Sequence, residues 1–262
     1  MIQWDTCPRC KKKELHRCVV DNSHICSMCE HHYSYSAAQY LSLIFDDSRY
    51  TPLFTDITTQ DIISFKCHMS YNEIIKKAVK RTGSNESIVC ATGFINGVRA
   101  VVMASEFGFI GGTIGVQTGL IIEQAALYAE QHNCSLIAVI RSGGMRMHES
   151  THALMQMPRT LAAIQRFKKT TYPFIVYLCN PSTGGTLASF ATQGDFTYAE
   201  PNATIAFTGK RVIEQTTYKK INTTEQTAET CLQRGLIDGI VHRKDIKRTI
   251  SKILYLFNGD IS

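Results

Sequence analysis

A chain of 262 residues, 44% hydrophobic and 19% charged, has the composition of an ordinary globular protein and the length for one large domain with a small appendage. The formal net charge of +6 falls in short clusters, Lys11 to Lys13, Lys76 with Lys77, Lys80 and Arg81, and Arg243 to Lys252. They read first as solvated faces and leave open a phosphate-bearing ligand, nucleic acid or an acidic partner. MIQWDTCPRC lacks the basic-then-apolar pattern of a secretory signal, and no run of about 18 apolar residues is present, which argues against a membrane span and for a protein that stays where it is made. Ten cysteines in such a chain point to free or metal-bound thiols rather than disulfides.

Residues 1–33 read as a zinc ribbon. Cys7 and Cys10, a fifteen-residue spacer, then Cys26 and Cys29 give paired C-x2-C turns, each presenting two thiolates to one tetrahedral ion. The metal supplies the cross-link that so short a segment lacks as hydrophobic core. His16, His24, His31, His32 and Cys18 are surplus to a closed four-ligand site and read as surface residues. Cys67, Cys90, Cys134, Cys179 and Cys231 read as small core residues. Residues 34–70 read as a connector that holds one helix, SAAQYLSLIFDD.

The main domain is expected over 71–262. Tyr71 to Arg81 is a short basic helix stopped at Gly83. SIVCATGFI and VRAVVMAS flank Asn96-Gly97, the dipeptide suited to a two-residue hairpin turn. EFGFIGGTIG is a glycine-rich loop, and Leu120, Ile121, Ala125, Tyr128 and Ala129 then recur at helical spacing up to His132-Asn133. SLIAVIRS is a buried strand ending at Gly143 and Gly144, and a helix over 149–169 is expected to kink or break at Pro158. YPFIVYLC is the next buried strand, followed by the loop NPSTGG, a short helix LASFATQG and a strand in ATIAFTG. Helices around 224–234 and 244–257 flank the strand IDGIVH. Strands alternating with helices predict an α/β domain with mostly parallel pairing.

Two strands thus end in paired glycines, Gly143-Gly144 and Gly184-Gly185. Such a corner bares backbone N–H groups, and where a helix begins there its partial positive charge adds to them. Donors of this kind stabilise the oxyanion of a reacting carbonyl; the alternative is that the glycines serve tight turns alone. No P-loop and no G-x-S-x-G elbow is present. The string His148-Glu149-Ser150-Thr151-His152 matches H-E-x-x-H, which would set two imidazoles and a general base on one helix face, although no third ligand is evident nearby.

The ribbon together with EFGFIGGTIG, SGGMRMHE, LMQMPRT, PSTGGTLASFATQGD, AEPNATIAFTGKRVIEQT and ETCLQRGLIDGIVHRKDI resembles the β subunits of bacterial and plastid acetyl-CoA carboxylase carboxyltransferase over nearly the whole chain. The resemblance implies a crotonase-like (ClpP/crotonase) fold of repeated ββα units. It also implies an α subunit as partner in an α2β2 heterotetramer, carboxybiotin delivered by the biotin carboxyl carrier protein after biotin carboxylase has charged it, and malonyl-CoA made from acetyl-CoA for fatty acid synthesis. In the family mechanism carbon dioxide is released, a proton leaves the acetyl methyl group and the enolate attacks. Gly184 and Gly185 then match the oxyanion corner, Gly143 and Gly144 the second catalytic loop, Gly111 and Gly112 a loop shaping the same pocket. Lys210 and Arg211 are candidates for coenzyme A phosphates or the partner, the alternative being plain surface or interface charges, and Cys7, Cys10, Cys26 and Cys29 match the zinc ligands. Bacterial cytoplasm and plastid stroma both suit the family.

The family pattern S-G-G-A-R-M-Q-E reads S-G-G-M-R-M-H-E here. Met145 replaces alanine, His148 replaces glutamine, and Arg141 stands where a small residue is usual. These departures keep open a paralogue acting on another acyl thioester, and the basic cluster Lys11 to Lys13 keeps open a zinc-ribbon protein that binds nucleic acid or regulates.

Overall fold

The computed structural model describes residues 3–220 and 223–257, excluding the side chains of 210–212 and 223–224. The ribbon is a two-stranded antiparallel sheet, β1 (Trp4–Thr6) with β2 (Lys13–Leu15), followed by the short helix α1 (His16–Asp21). Among its described apolar residues only Cys7, Val19, Ile25 and Cys26 are buried, so the described segment has almost no core of its own.

Residues 34–70, expected to be a connector, carry elements of the main body. Helix α2 (Ala37–Ile44) starts with a capping box between Ser36 and Gln39, and its Ala37, Tyr40, Leu41 and Ile44 are buried. The polar stretch after it forms β3 (Tyr50–Leu53), the edge strand of the large sheet, paired antiparallel with β4 (Ile88–Ile95). Pro52 in this strand and its short length concealed it from a pattern search. Helix α3 (Tyr71–Thr82) has the expected extent, capped by Ser70 and Glu73 at one end and by Gly83 at φ 70° at the other.

The large sheet has eight strands. β4 turns through Asn96 and Gly97, both at positive φ, into β5 (Val98–Ser105). From β5 the sheet is parallel through β6 (Ser135–Ser142), β7 (Phe174–Thr183) and β8 (Phe196–Ala199) to the two-residue β10 (Gly239–Ile240), while β9 (Ile205–Ala206) pairs with the end of β7. Both faces are covered. Leu136, Ala138 and Ile140 of β6 point toward α4 (Val116–Gln131), α6 (Gln156–Phe167) and α8 (Ala228–Gln233), whereas Ile137 and Val139 point toward α2 and α9 (Ile246–Phe257). Burial on two sides is why SLIAVIRS and FIVYLC are continuous apolar runs without alternation.

Several elements differ from expectation. The helix over 149–169 is two pieces, α5 (Ser150–Leu154) and α6, broken at Met155, while Pro158 sits in the first turn of α6, where its missing N–H is harmless. The residues NPST continue β7 because β9 pairs with Ser182 and Thr183, and LASFATQG contains 3₁₀ turns in place of a helix. Helix α7 (Lys210–Thr217) and strand β8 were not anticipated. Among the cysteines expected in the core, Cys90, Cys134, Cys179 and Cys231 are buried, but Cys67 is exposed on a loop. No described helix is long and apolar enough to cross a membrane.

Candidate functional site: two glycine corners and a thiol cluster

Because β6 and β7 are parallel neighbours, the glycines that follow them arrive side by side at the carboxyl edge of the sheet. A Cβ on Gly184 would lie 2.9 Å from the Gly144 Cα, and one on Gly144 would lie 3.2 Å from the Gly184 Cα, so the two corners pack backbone on backbone. Gly184 has φ 71° and Gly144 φ 106°, where a side chain is strained in any case. The third glycine loop lies beneath the first corner: a Cβ on Gly112 would be 2.2 Å from the Arg141 carbonyl oxygen.

The amide groups of the two corners have different fates. The Gly143 N–H donates to the Gly111 carbonyl at 2.9 Å, and the Gly144 N–H donates to Ser142 Oγ at 3.1 Å. The Gly144 carbonyl in turn accepts from the Ile114 N–H at 2.9 Å. Gly184 and Gly185 instead open the 3₁₀ turn Gly184–Thr186, whose cap bond runs from the Leu187 N–H back to the Gly184 carbonyl. N–H groups at the start of such a turn precede its first bond, and among the described residues neither the Gly184 nor the Gly185 N–H donates to an acceptor within the protein. Ser142 Oγ and Thr186 Oγ1, 2.8 Å apart, tie the corners together.

Beneath the first corner lies a buried charge cluster. Arg146, fully buried, bonds both carboxylates of the cluster, Glu86 and Glu149, and donates to Thr113 O at 2.7 Å and Ser87 Oγ at 3.0 Å. Tyr71 donates to Glu149 Oε1 at 2.6 Å, while Glu149 Oε2 accepts the Val116 N–H at 2.6 Å and so caps α4, whose own N-cap is Gly115. Burial alone would raise the Glu86 carboxyl, but the Arg146 guanidinium and the hydroxyl of Thr59 hold it below its ordinary value. The His148 imidazole, stacked on Tyr71 at 5.1 Å, is lowered by burial and by Arg146.

This arrangement removes the zincin reading. Ser150, at φ 50°, separates the 3₁₀ turn carrying His148 and Glu149 from the helix carrying His152, and Glu149 is spent on Arg146, Tyr71 and Val116. Among the described residues the group suited to a metal is Cys7, Cys10, Cys26 and Cys29, with all four sulfurs within 4.8 Å of one another. Cys7 Sγ to Cys29 Sγ is 3.6 Å and Cys10 Sγ to Cys26 Sγ is 3.7 Å. These spacings approach the edge of roughly 3.8 Å that follows from zinc–sulfur bonds of about 2.3 Å in a tetrahedron. Although burial raises the Cys7 thiol, amide hydrogen bonds from Cys10 and Arg9 bring it down to about 6.

A second buried cluster fastens the ribbon to the sheet. Glu200, at the end of β8, accepts from Tyr40 at 2.6 Å and from Arg243 at 2.9 and 2.8 Å, with His32 Nδ1 at 3.2 Å. Arg243 also donates to the carbonyls of Ser23, His24 and Tyr33 in the ribbon. His32 and Arg243, read from the sequence as surface residues, are therefore buried connectors. Burial opposes the charge on Glu200, yet the His32 ring beside it and Arg243 pull its carboxyl down to about 2.

The remaining candidates separate clearly. The side chains of Lys210 and Arg211 lie outside the described residues. Arg141 turns away to the Asn180 carbonyl, at 2.6 Å, and the ring of Phe107. Met145 stays at the corners: its Cγ and Sδ lie 2.5 and 2.8 Å from where a Cβ on Gly185 would be. Sequence reasoning missed Glu86, Arg146, Glu200 and Arg243 because each finds its partner across a long stretch of chain; the one local signal was Arg146 with Glu149 at i,i+3.

The carboxyl transferase domain family matches residues 58–255. The acetyl-coenzyme A carboxylase carboxyl transferase subunit beta of Dinoroseobacter shibae is 38% identical over 256 residues, covering 98% of this chain and 80% of that one. The chain belongs to this carboxyl transferase β family. A fused relative, the subunits beta/alpha protein of Natranaerobius thermophilus, is 38% identical over 253 residues, covering 97% of this chain and 41% of its own length. In fold, the chain is similar to the transcarboxylase 12S core, with a TM-score of 0.70 at 17% identity over 90% of this chain and 42% of that one. The crotonase-like α/β architecture expected for the family is therefore the architecture found, and the four clustered cysteines fit its ribbon.

Proposed function

We propose that the chain is the β subunit of an acetyl-CoA carboxylase carboxyltransferase and that its Gly184-Gly185 corner holds the thioester carbonyl of acetyl-CoA. The observation that carries this reading is the contrast in amide bonding: the Gly143 and Gly144 N–H groups are consumed inside the protein, while those of Gly184 and Gly185 open a 3₁₀ turn and have no acceptor among the described residues. Donors already in place where an enolate oxygen gains charge lower the barrier without reorganising during the reaction. Carboxybiotin, brought by a carrier protein, supplies the carbon dioxide and the base. The chain's own part is then orientation and charge stabilisation, with Gly143, Gly144, Gly111 and Gly112 bracing the corner from below.

An α subunit of similar fold completes the site in an α2β2 assembly, a reading supported by the relative in which β and α portions share one polypeptide. The four cysteines bind one structural zinc ion. The bacterial relatives favour a bacterial cytoplasm. Lys210 and Arg211 remain candidates for the phosphates of coenzyme A. The test is reconstitution: the chain, the α subunit from the same genome and carboxylated carrier protein are mixed with acetyl-CoA, and malonyl-CoA is measured. Malonyl-CoA formed only when both subunits are present supports the reading; none from a well-folded complex of the two overturns it.

A further inference from the structure

Of the three departures from the family pattern, Met145 is the one whose side chain reaches the Gly185 corner. Its backbone has little freedom: the Ile114 N–H bonds the Gly144 carbonyl at 2.9 Å, the Arg146 N–H bonds the Ile114 carbonyl at 2.9 Å, and the next side chain, Arg146, is fully buried in its charge cluster. Held on both sides, Met145 extends over Gly185. Its Cγ and Sδ come within 2.5 and 2.8 Å of the position a Cβ on Gly185 would take, and Met157 Sδ from α6 comes within 3.0 Å of the same point. Two thioethers therefore form one wall directly over the α-carbon of Gly185. Alanine at position 145 would lack the three heavy atoms beyond Cβ and leave that space open.

We propose that Met145, backed by Met157, sets the size limit of the acyl group, admitting acetyl and excluding longer chains. The inference rests on the reading that the thioester carbonyl is held at Gly184 and Gly185. With the carbonyl oxygen on those amides, the carbon chain of the acyl group starts within a few ångströms of the Met145 wall, and each added methylene must displace it. Methionine is unbranched and adaptable, so the limit is graded and not absolute. One methylene at such a wall is worth about tenfold or more in kcat/KM.

The test compares the wild type, Met145→Ala and Met145→Leu, each in complex with the α subunit, on acetyl-, propionyl- and butyryl-CoA. Met145→Ala is expected to raise the propionyl-to-acetyl ratio of kcat/KM at least about tenfold, with a larger rise for butyryl, while Met145→Leu keeps the wild-type ratio. Equilibrium binding of the three thioesters is measured in parallel, and the butyryl-to-acetyl Kd ratio should fall in Met145→Ala. If the wild type turns over or binds acetyl-CoA and both ratios stay unmoved in Met145→Ala, the size limit is refuted while the carboxyltransferase reading stands. If the folded wild-type complex neither binds nor carboxylates any of the three, the reading beneath it fails and takes this inference with it.

Discussion

The two glycine corners look alike in the sequence and differ in what their amides do. After β6, Gly143 and Gly144 spend their N–H groups on Gly111 and Ser142, and the loop is riveted from below by Arg146. After β7, Gly184 and Gly185 begin a short 3₁₀ turn, and among the described residues theirs find no acceptor within the protein. The first corner is a rigid bed and the second is the reactive edge resting on it. Glycine pairs at strand ends thus have two distinct uses in one molecule, and hydrogen-bond accounting tells them apart.

The largest effect is expected from removing the rivet. Arg146→Met leaves Glu86 and Glu149 buried without their cation and should destabilise the protein by about 3 to 5 kcal/mol, read from the urea unfolding midpoint. A loss below about 1 kcal/mol would mean that the first corner does not depend on the cluster.

Gly184→Ala strikes the second corner. The new methyl meets the Gly144 Cα at 2.9 Å from a backbone held at φ 71°, so the turn must shift and carry its amides with it. Malonyl-CoA formation is expected to fall roughly 10²- to 10³-fold, as when an oxyanion donor is lost. Unaltered turnover would remove the functional distinction between the corners.

Acid separates the corners from the clamp that holds the ribbon. A Glu200 carboxyl depressed to about 2 contributes its stability in full above the unfolded value of 4.5 and loses it as pH falls from there through about 2. That displacement corresponds to on the order of 3 kcal/mol. Thermal unfolding followed from pH 5 downward should show this fall, and Glu200→Gln should flatten the slope even if it lowers the whole curve. A slope indifferent to the substitution would assign the acid sensitivity elsewhere.

The smallest effect concerns the tie between the corners. Ser142→Ala removes the acceptor of the Gly144 N–H and the partner of Thr186, and should cost about 1 to 2 kcal/mol in stability. If kcat falls with little loss of stability, the first corner is closer to the chemistry than its amide bonding indicates.

Much of this was legible before any coordinates. The hairpin at Asn96-Gly97, the helix stopped at Gly83, the two buried parallel strands and the four-cysteine cluster each follow from local chemistry within a few residues. What escaped notice has a common cause. β3 is short and contains proline; β8 is only four residues long; and NPST is a strand only because β9 lies beside it. In each case pairing with a distant segment overrides weak local preference. The H-E-x-x-H string, already without an evident third ligand in the sequence, fails for the opposite reason: the spacing is right, but a kink at Ser150 breaks the helix that the spacing presumes.

By itself the sequence determined which residues could turn, ligate a metal or form the sheet, because φ freedom, thiolate spacing and apolar runs belong to short stretches of chain. Only the tertiary structure decided which glycine amides are bonded within the protein, which arginines and acids are buried together, and where Met145 comes to rest. Those outcomes depend on partners far apart in the chain, 160 positions for Tyr40 and Glu200 and 220 for Ser23 and Arg243, which meet only once the sheet has formed and excluded water from between them.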